Sequence, residues 1–146
     1  MDTSNALAGR SVLITGAARR IGAALARGFH AEGANVCIHF HRSGAEAEQL
    51  RAELNAARAD SAIAVGADLL DLDALPRLVD RTVQAFGRLD VLINNASTFY
   101  PTPLGAVTAR HWDDLMGTNL RAPLFLSQAA APALEQAQGL ILNMID

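Results

Sequence analysis

The residues able to do chemistry in this 146-residue chain gather in four short strings. The first, Thr15-Gly16-Ala17-Ala18-Arg19-Arg20-Ile21-Gly22, is a glycine-bearing turn between an apolar run and a segment of helical period. A tight turn of this kind delivers a helix N-terminus whose free amides and dipole suit a pyrophosphate. Gly16 permits the turn, and Gly22 lets helix and sheet approach closely. The spacing is not G-x-G-x-x-G, since no glycine stands two residues after Gly16, and an ordinary strand-to-helix turn is the plain alternative.

The second string, His39-Phe40-His41-Arg42-Ser43, closes the next apolar run. A site for NAD places an Asp or Glu at that point to bind the ribose 2′-hydroxyl. Here the acid is missing, and Arg42 with Ser43 offers a cation and a hydroxyl to a 2′-phosphate, which favours NADP over NAD. The alternative is a solvated loop arginine with incidental histidines. A metal is not indicated, because the two histidines lack a Cys or acid at ligand spacing. In the third string, Gly66-Ala67-Asp68-Leu69, Asp68 is placed to accept from an adenine amino group, or to cap a helix. The fourth, Asp90-Val91-Leu92-Ile93-Asn94-Asn95-Ala96-Ser97, ends a buried run in two amides. One can pin the turn while its neighbour's backbone meets a ligand.

These strings need elements to hold them at one edge. Ser11–Thr15, Asn35–Phe40, Ser61–Ala67, Asp90–Asn94 and Gly139–Ile145 read as strands. Helices are expected from about Ile21 to near Gly33, at Gly44–Arg58 and Asp73–Phe86, and over a long stretch Thr108–Leu134 that Pro123 should bend or break. The first helix should bury Ile21, Ala24, Leu25, Gly28 and Phe29. The second should bury Ala47, Leu50 and Leu54, and the third Leu75, Leu78, Val79 and Phe86. Trp112, Leu115 and Leu124–Leu126 read as core of the long helix. Such alternation predicts a doubly wound α/β domain with a parallel sheet in order 3-2-1-4-5.

Composition bounds the rest. The chain is 51% hydrophobic and 18% charged, with net charge −3, as expected of one globular domain. All twelve of its cationic Lys and Arg residues are arginines, and they form no basic tract, which argues against nucleic acid or an anionic membrane as partner. The single Cys37 lies inside an apolar run and reads as a small buried hydrophobe. Met1 to Ala8 lack a signal-type apolar core and no run reaches membrane-span length, so a cytoplasmic setting is expected.

In this order and at these strand ends, the motifs resemble the short-chain dehydrogenase/reductase family over essentially the whole chain. Arg20 stands where most members have a second glycine. The strings Thr-Gly-Ala-Ala-Arg-Arg-Ile-Gly, His-Phe-His-Arg-Ser and Asn-Asn-Ala-Ser-Thr-Phe-Tyr-Pro-Thr-Pro-Leu look like those of pteridine reductases. The resemblance implies an NADPH cofactor and a pteridine substrate. It gives Arg20, His39, His41, Arg42 and Ser43, beside the turn residues Gly16, Ile21 and Gly22, to the phosphates and adenosine end. Asp68 and Leu69 would meet the adenine, and Asn95, Ala96 and Ser97 would line the cofactor. Ser97 and Arg20 would also reach the pterin, and Phe99 would stack on it. Asn119 matches the family's Asn in the long helix, and Asp146 the pteridine reductases' Asp after the fifth strand, working with a Tyr as proton donor.

The family's acid–base pair is a Tyr-x-x-x-Lys, whose Lys lowers the Tyr pKa. No lysine is present, and the only tyrosine, Tyr100, belongs to the Phe-Tyr-Pro loop. The expectation is therefore a nucleotide-binding part lacking the catalytic helix and inactive alone; the resemblance implies a parent that forms a homotetramer. An apolar fifth strand left at the sheet edge should make this chain prone to association. Two other readings stay open: a short-chain reductase of ketoacyl or sugar carbonyls, and a catalytically dead NADP-binding module.

Overall fold

The computed structural model describes residues 5–145. Five parallel strands, β1 (Ser11–Ile14), β2 (Asn35–Phe40), β3 (Ala62–Gly66), β4 (Val91–Asn94) and β5 (Leu140–Asn143), lie in the order β3-β2-β1-β4-β5. This is the doubly wound arrangement expected from the alternation of apolar runs and helical periods. The chain winds outward from β1 to β3, then crosses back to β4. The reversal leaves a crevice at the carboxyl ends of β1 and β4, where such sheets receive ligands.

The strands' period of two sends alternate side chains into two cores. Val12, Ile14, Val36, Ile38, Val91 and Ile93 face α1 (Arg20–Ala31) and α2 (Gly44–Ala57), which contribute Ala23, Ala26, Ala47, Leu50 and Leu54. Leu13, Cys37 and Leu92 face α3 (Ala74–Phe86) and α5 (Ala122–Ala137), which contribute Leu75, Leu78, Val79, Leu126, Ala130 and Leu134. Burial pushes the Cys37 thiol up to about 12, so it is the inert apolar residue its setting predicts. Among the described residues no helix is long and apolar enough to cross a membrane.

Two expectations about packing are corrected. The face of α1 that is buried is Gly22, Ala23, Ala26 and His30, while Ile21 is 62% exposed. Small residues win there because the helix lies so close to the turn that a Cβ on Gly22 would come within 2.3 Å of the Gly16 carbonyl oxygen. Trp112 and Leu124 are exposed rather than core, and of the group assigned to the long helix only Leu126 is fully buried.

The long helix is also divided. It runs as α4 (Ala109–Met116), a π-helical turn (Gly117–Arg121) and α5. Pro123 has no N–H to offer the Asn119 carbonyl, and its ring would collide with it in a regular helix. The widened turn just before Pro123 relieves that clash. At the opposite edge of the sheet from β3, β5 pairs only with β4 among the described residues, and Leu140, Ile141 and Leu142 are exposed.

Candidate nucleotide-binding cleft

A cleft of about 1150 Å³ opens at the carboxyl ends of the strands. Its floor is the turn after β1. Thr15 organises that turn: its hydroxyl oxygen accepts the N–H groups of Asn95 and Ala96, each at 2.9 Å, tying β1 to the loop after β4. The Asn95 amide returns the contact, donating to the carbonyls of Thr15 at 3.0 Å and Gly16 at 3.3 Å. Its neighbour Asn94 donates to Asn143 at 2.9 Å and so fastens β4 to β5. Of the two adjacent amides, one therefore pins the turn and the other the sheet.

Gly16 has φ +62°, a conformation that favours glycine, and a Cβ there would press on Ala96 at 3.1 Å. Arg20 also lies in the left-handed region, at φ +54°. An L-residue held there carries strain, which accounts for the glycine that most of the resembled family place at this point. The first helical bond of α1 runs from the Ala23 N–H to the Arg19 carbonyl, and no side chain caps the helix. The amides of residues 20–22 are thus presented at the cleft wall with the positive end of the helix dipole behind them.

His41, Arg42, Ser43, Asp68 and Leu69 form the wall on the β2–β3 side. Arg42 is exposed and makes no ion pair among the described residues, whereas Asp68 is held by an Asx-type turn in which its carboxylate accepts the Leu70 N–H at 2.9 Å. His41 approaches Asp68 at 4.0 Å. His39 lines the cleft too, yet its two ring nitrogens are engaged with the Gly16 N–H at 3.1 Å and the Ala67 carbonyl at 2.9 Å. It therefore has no ring nitrogen left to bond a phosphate.

The wall on the α4 side holds what the sequence reading missed. Arg110, Asp114, Thr118 and Arg121 recur at spacings of four, four and three, one face of a helix, and all border the cleft. That polar stripe was the available signal. The Arg121 Nε is buried without a hydrogen-bond partner among the described residues, a donor left for a ligand. Five arginines and three aspartates line the cleft of a chain whose net charge is −3, so positive charge is concentrated here.

Asn119 does not border the cleft. Its side chain grips the backbone of Thr98, accepting from its N–H at 3.0 Å and donating to its carbonyl at 2.8 Å. The role shown is positioning of the loop after β4. Phe99 follows, 84% exposed and beyond the residues that wall the cleft. The reason lies in its neighbours: Thr98 is held by Asn119, and the Tyr100 hydroxyl donates to Asp114 at 2.9 Å, leaving Phe99 turned to solvent between two anchors. Partial burial and that bond to Asp114 hold the Tyr100 phenol above its ordinary pKa, the opposite of what an acid–base tyrosine requires. Ser97 does line the cleft, whereas Asp146 lies outside the described residues.

Among the described residues no cluster of His, Cys, Asp or Glu could hold a metal. The donor set instead fits a polyanionic dinucleotide: Arg20 and Arg42, which make no ion pair among the described residues, a bare helix N-terminus and an acceptor at Asp68. A family model described as short chain dehydrogenase matches residues 10–145. A pteridine reductase 1 of Leishmania tarentolae is 39% identical, the match covering 92% of this chain and 60% of the relative. A 3-oxoacyl-(acyl-carrier-protein) reductase of Staphylococcus aureus is 36% identical over 92% of this chain and 55% of its own length. A short chain dehydrogenase/reductase of Aspergillus aculeatus is 35% identical over 93% of this chain. The chain thus spans little more than half the length of these relatives.

Proposed function

The chain belongs to the short-chain dehydrogenase family, and from that premise we propose that it is the nucleotide-binding part of an NADPH-dependent reductase of pteridines. The observation that carries the cofactor choice is Arg42. It borders the cleft where an acid would select NAD, and no carboxylate among the described residues neutralises it. Its planar fork of donors suits a 2′-phosphate, with Ser43 and His41 beside it. The amides of residues 20–22 and the Arg20 guanidinium would hold the pyrophosphate. Asp68 and Leu69 would meet the adenine, and Asn95, Ala96 and Ser97 would border the reactive end.

The chemistry contributed by a bound NADPH is hydride donation. What this chain's residues contribute is binding and orientation. The twelve cationic side chains are all arginine, and the single tyrosine is committed to Asp114, so no Tyr-x-x-x-Lys pair is available to deliver a proton. Binding, rather than turnover, is the property expected of these 146 residues. The pteridine reading is supported by the strings around Arg20, Arg42 and Ser97 and by the 39% identity to a pteridine reductase. A ketoacyl carbonyl substrate is the second reading, supported by the 36% identity to a 3-oxoacyl-(acyl-carrier-protein) reductase.

Replacing Arg42 with Ala tests the cofactor assignment. It should weaken NADPH by about tenfold to a hundredfold, the worth of a charge-assisted bond, while leaving NADH nearly unchanged. Equal losses for the two would refute the role. For the substrate, dihydrobiopterin and a ketoacyl thioester are titrated into the NADPH-saturated chain. Selective binding of the thioester would overturn the pteridine reading.

A further inference from the structure

Three bonds converge on His39, between the glycine turn and the end of β3. Its carbonyl accepts the Ala17 N–H at 2.9 Å, its Nδ1 faces the Gly16 N–H at 3.1 Å, and its Nε2 lies 2.9 Å from the Ala67 carbonyl oxygen. An amide N–H only donates and a carbonyl only accepts, so the partners dictate the proton: it sits on Nε2, and Nδ1 is bare. The neutral imidazole alone satisfies both. A second proton, on Nδ1, would set donor against donor at Gly16. The residue is 1% exposed, which leaves little room for the ring to turn away or for water to intervene.

We propose that His39 is a positioning residue whose neutral imidazole clamps the glycine turn in the shape that receives the dinucleotide, and that protonating it opens the clamp. The proposal rests on the cleft being the NADPH site. Thr15 and Asn95 hold the turn from the β4 side, and His39 is its counterpart from the β2–β3 side. Because Gly16 and Ala17 spend their amides on His39, the turn is fixed while the amides of residues 20–22 stay available. The charged group that acts on the ring is His41, just past the end of the same strand; Asp68 after β3 and Arg20 at the start of α1 lie on the same cleft wall. Burial pushes His39 below the ordinary imidazole value; the Ala67 bond opposes this, and His41 adds to it. The clamp is therefore closed at neutral pH and opens in acid.

The test titrates NADPH into the full 146-residue chain between pH 8 and pH 5, for the wild type, His39→Asn and His39→Leu. The Asn carbonyl oxygen stands in for Nδ1 and carries no charge at any pH. At pH 8, His39→Leu should bind about tenfold more weakly, as befits a lost buried bond, while His39→Asn recovers most of that loss. Towards pH 5 the wild type should lose affinity more steeply than His39→Asn, whose profile reports the titration of the 2′-phosphate. Profiles that stay coincident down to the pH at which nitrogen NMR shows the His39 ring protonating would overturn the proposal. Should His39→Leu fail to fold, nitrogen NMR of the ligand-free wild type decides. An Nε2–H tautomer, with Gly16 amide protection that fades as the ring protonates, supports the clamp; an Nδ1–H tautomer or a pH-independent Gly16 amide contradicts it. Wild type that binds no NADPH at any pH would defeat the cofactor reading, and the ligand-free spectra would still report on the clamp.

Discussion

Arg20 sets stability against binding in one residue. Its backbone sits at φ +54°, where an L-residue is disfavoured by about 1–2 kcal/mol. Glycine escapes that cost but brings about 0.5–1 kcal/mol of extra chain freedom to the unfolded state. The difference leaves Arg20→Gly more stable by roughly 0.5–1 kcal/mol, a melting temperature higher by about 2–4 °C for a chain of this size. The same change removes a guanidinium from the cleft wall. A charge-assisted bond to a phosphate is worth about 1.5–3 kcal/mol, so NADPH should bind roughly tenfold to a hundredfold more weakly. Arg20→Ala separates the two effects, because it keeps the Cβ and hence the strain while losing the charge. Thermal melts and calorimetric titration of the three proteins provide the assay. The expected pattern is Arg20→Gly above wild type in melting temperature and Arg20→Ala not above it, with both variants weak for NADPH. A destabilised Arg20→Gly, or one that binds NADPH as tightly as the wild type, would refute the reasoning.

Other consequences concern the scaffold. Asp90 is buried at the end of the sheet away from the cleft; burial alone would raise its pKa, but bonds from Arg88, the Ser11 N–H and Arg10 together hold it below its ordinary value. Its contribution is thus complete above the ordinary carboxylate range and is lost as pH falls through the lower folded value, and Asp90→Asn should cost about 2–3 kcal/mol at neutral pH in urea unfolding while making stability less acid-sensitive. An unchanged acid limb would count against this. Thr15→Val removes the acceptor of two amides and should cost about 2–3 kcal/mol, with NADPH binding weakened in the material that stays folded; a neutral substitution would show that the hydroxyl does not organise the turn. The exposed apolar strand β5 should drive concentration-dependent association, visible by sedimentation and reduced by Ile141→Lys. Monomeric wild type at high concentration would contradict that expectation.

The sheet was legible because its signals are strong. Each apolar run is short and bounded, so β2 was read at Asn35–Phe40 with its observed limits, and the alternation with helices left one plausible winding. The expected cofactor-lining residues also stand together, from Gly16 to Ser97, since strand ends place them there whatever the details of packing. What was illegible turns on atoms rather than patterns. Hydrophobicity points to Ile21, Leu25 and Phe29 as the buried face of α1; Leu25 and Phe29 do pack against the core, but close approach to the sheet puts Gly22, Ala23 and Ala26 deepest and leaves Ile21 in solvent. The strings around His39 and Phe99 carry no sign that one ring is spent on Gly16 and Ala67 or that the other is left in solvent. The stripe Arg110, Asp114, Thr118, Arg121 has helical spacing, yet nothing in its composition says which way it faces.

The most direct measurement is calorimetric titration of the folded wild-type chain with NADPH and, separately, with NADH at neutral pH and fixed salt. A cleft with Arg42 free of ion pairs among the described residues predicts saturable binding of NADPH, with NADH weaker by at least about tenfold, the worth of one phosphate contact. No heat with NADPH, or equal affinity for the two dinucleotides, would contradict it.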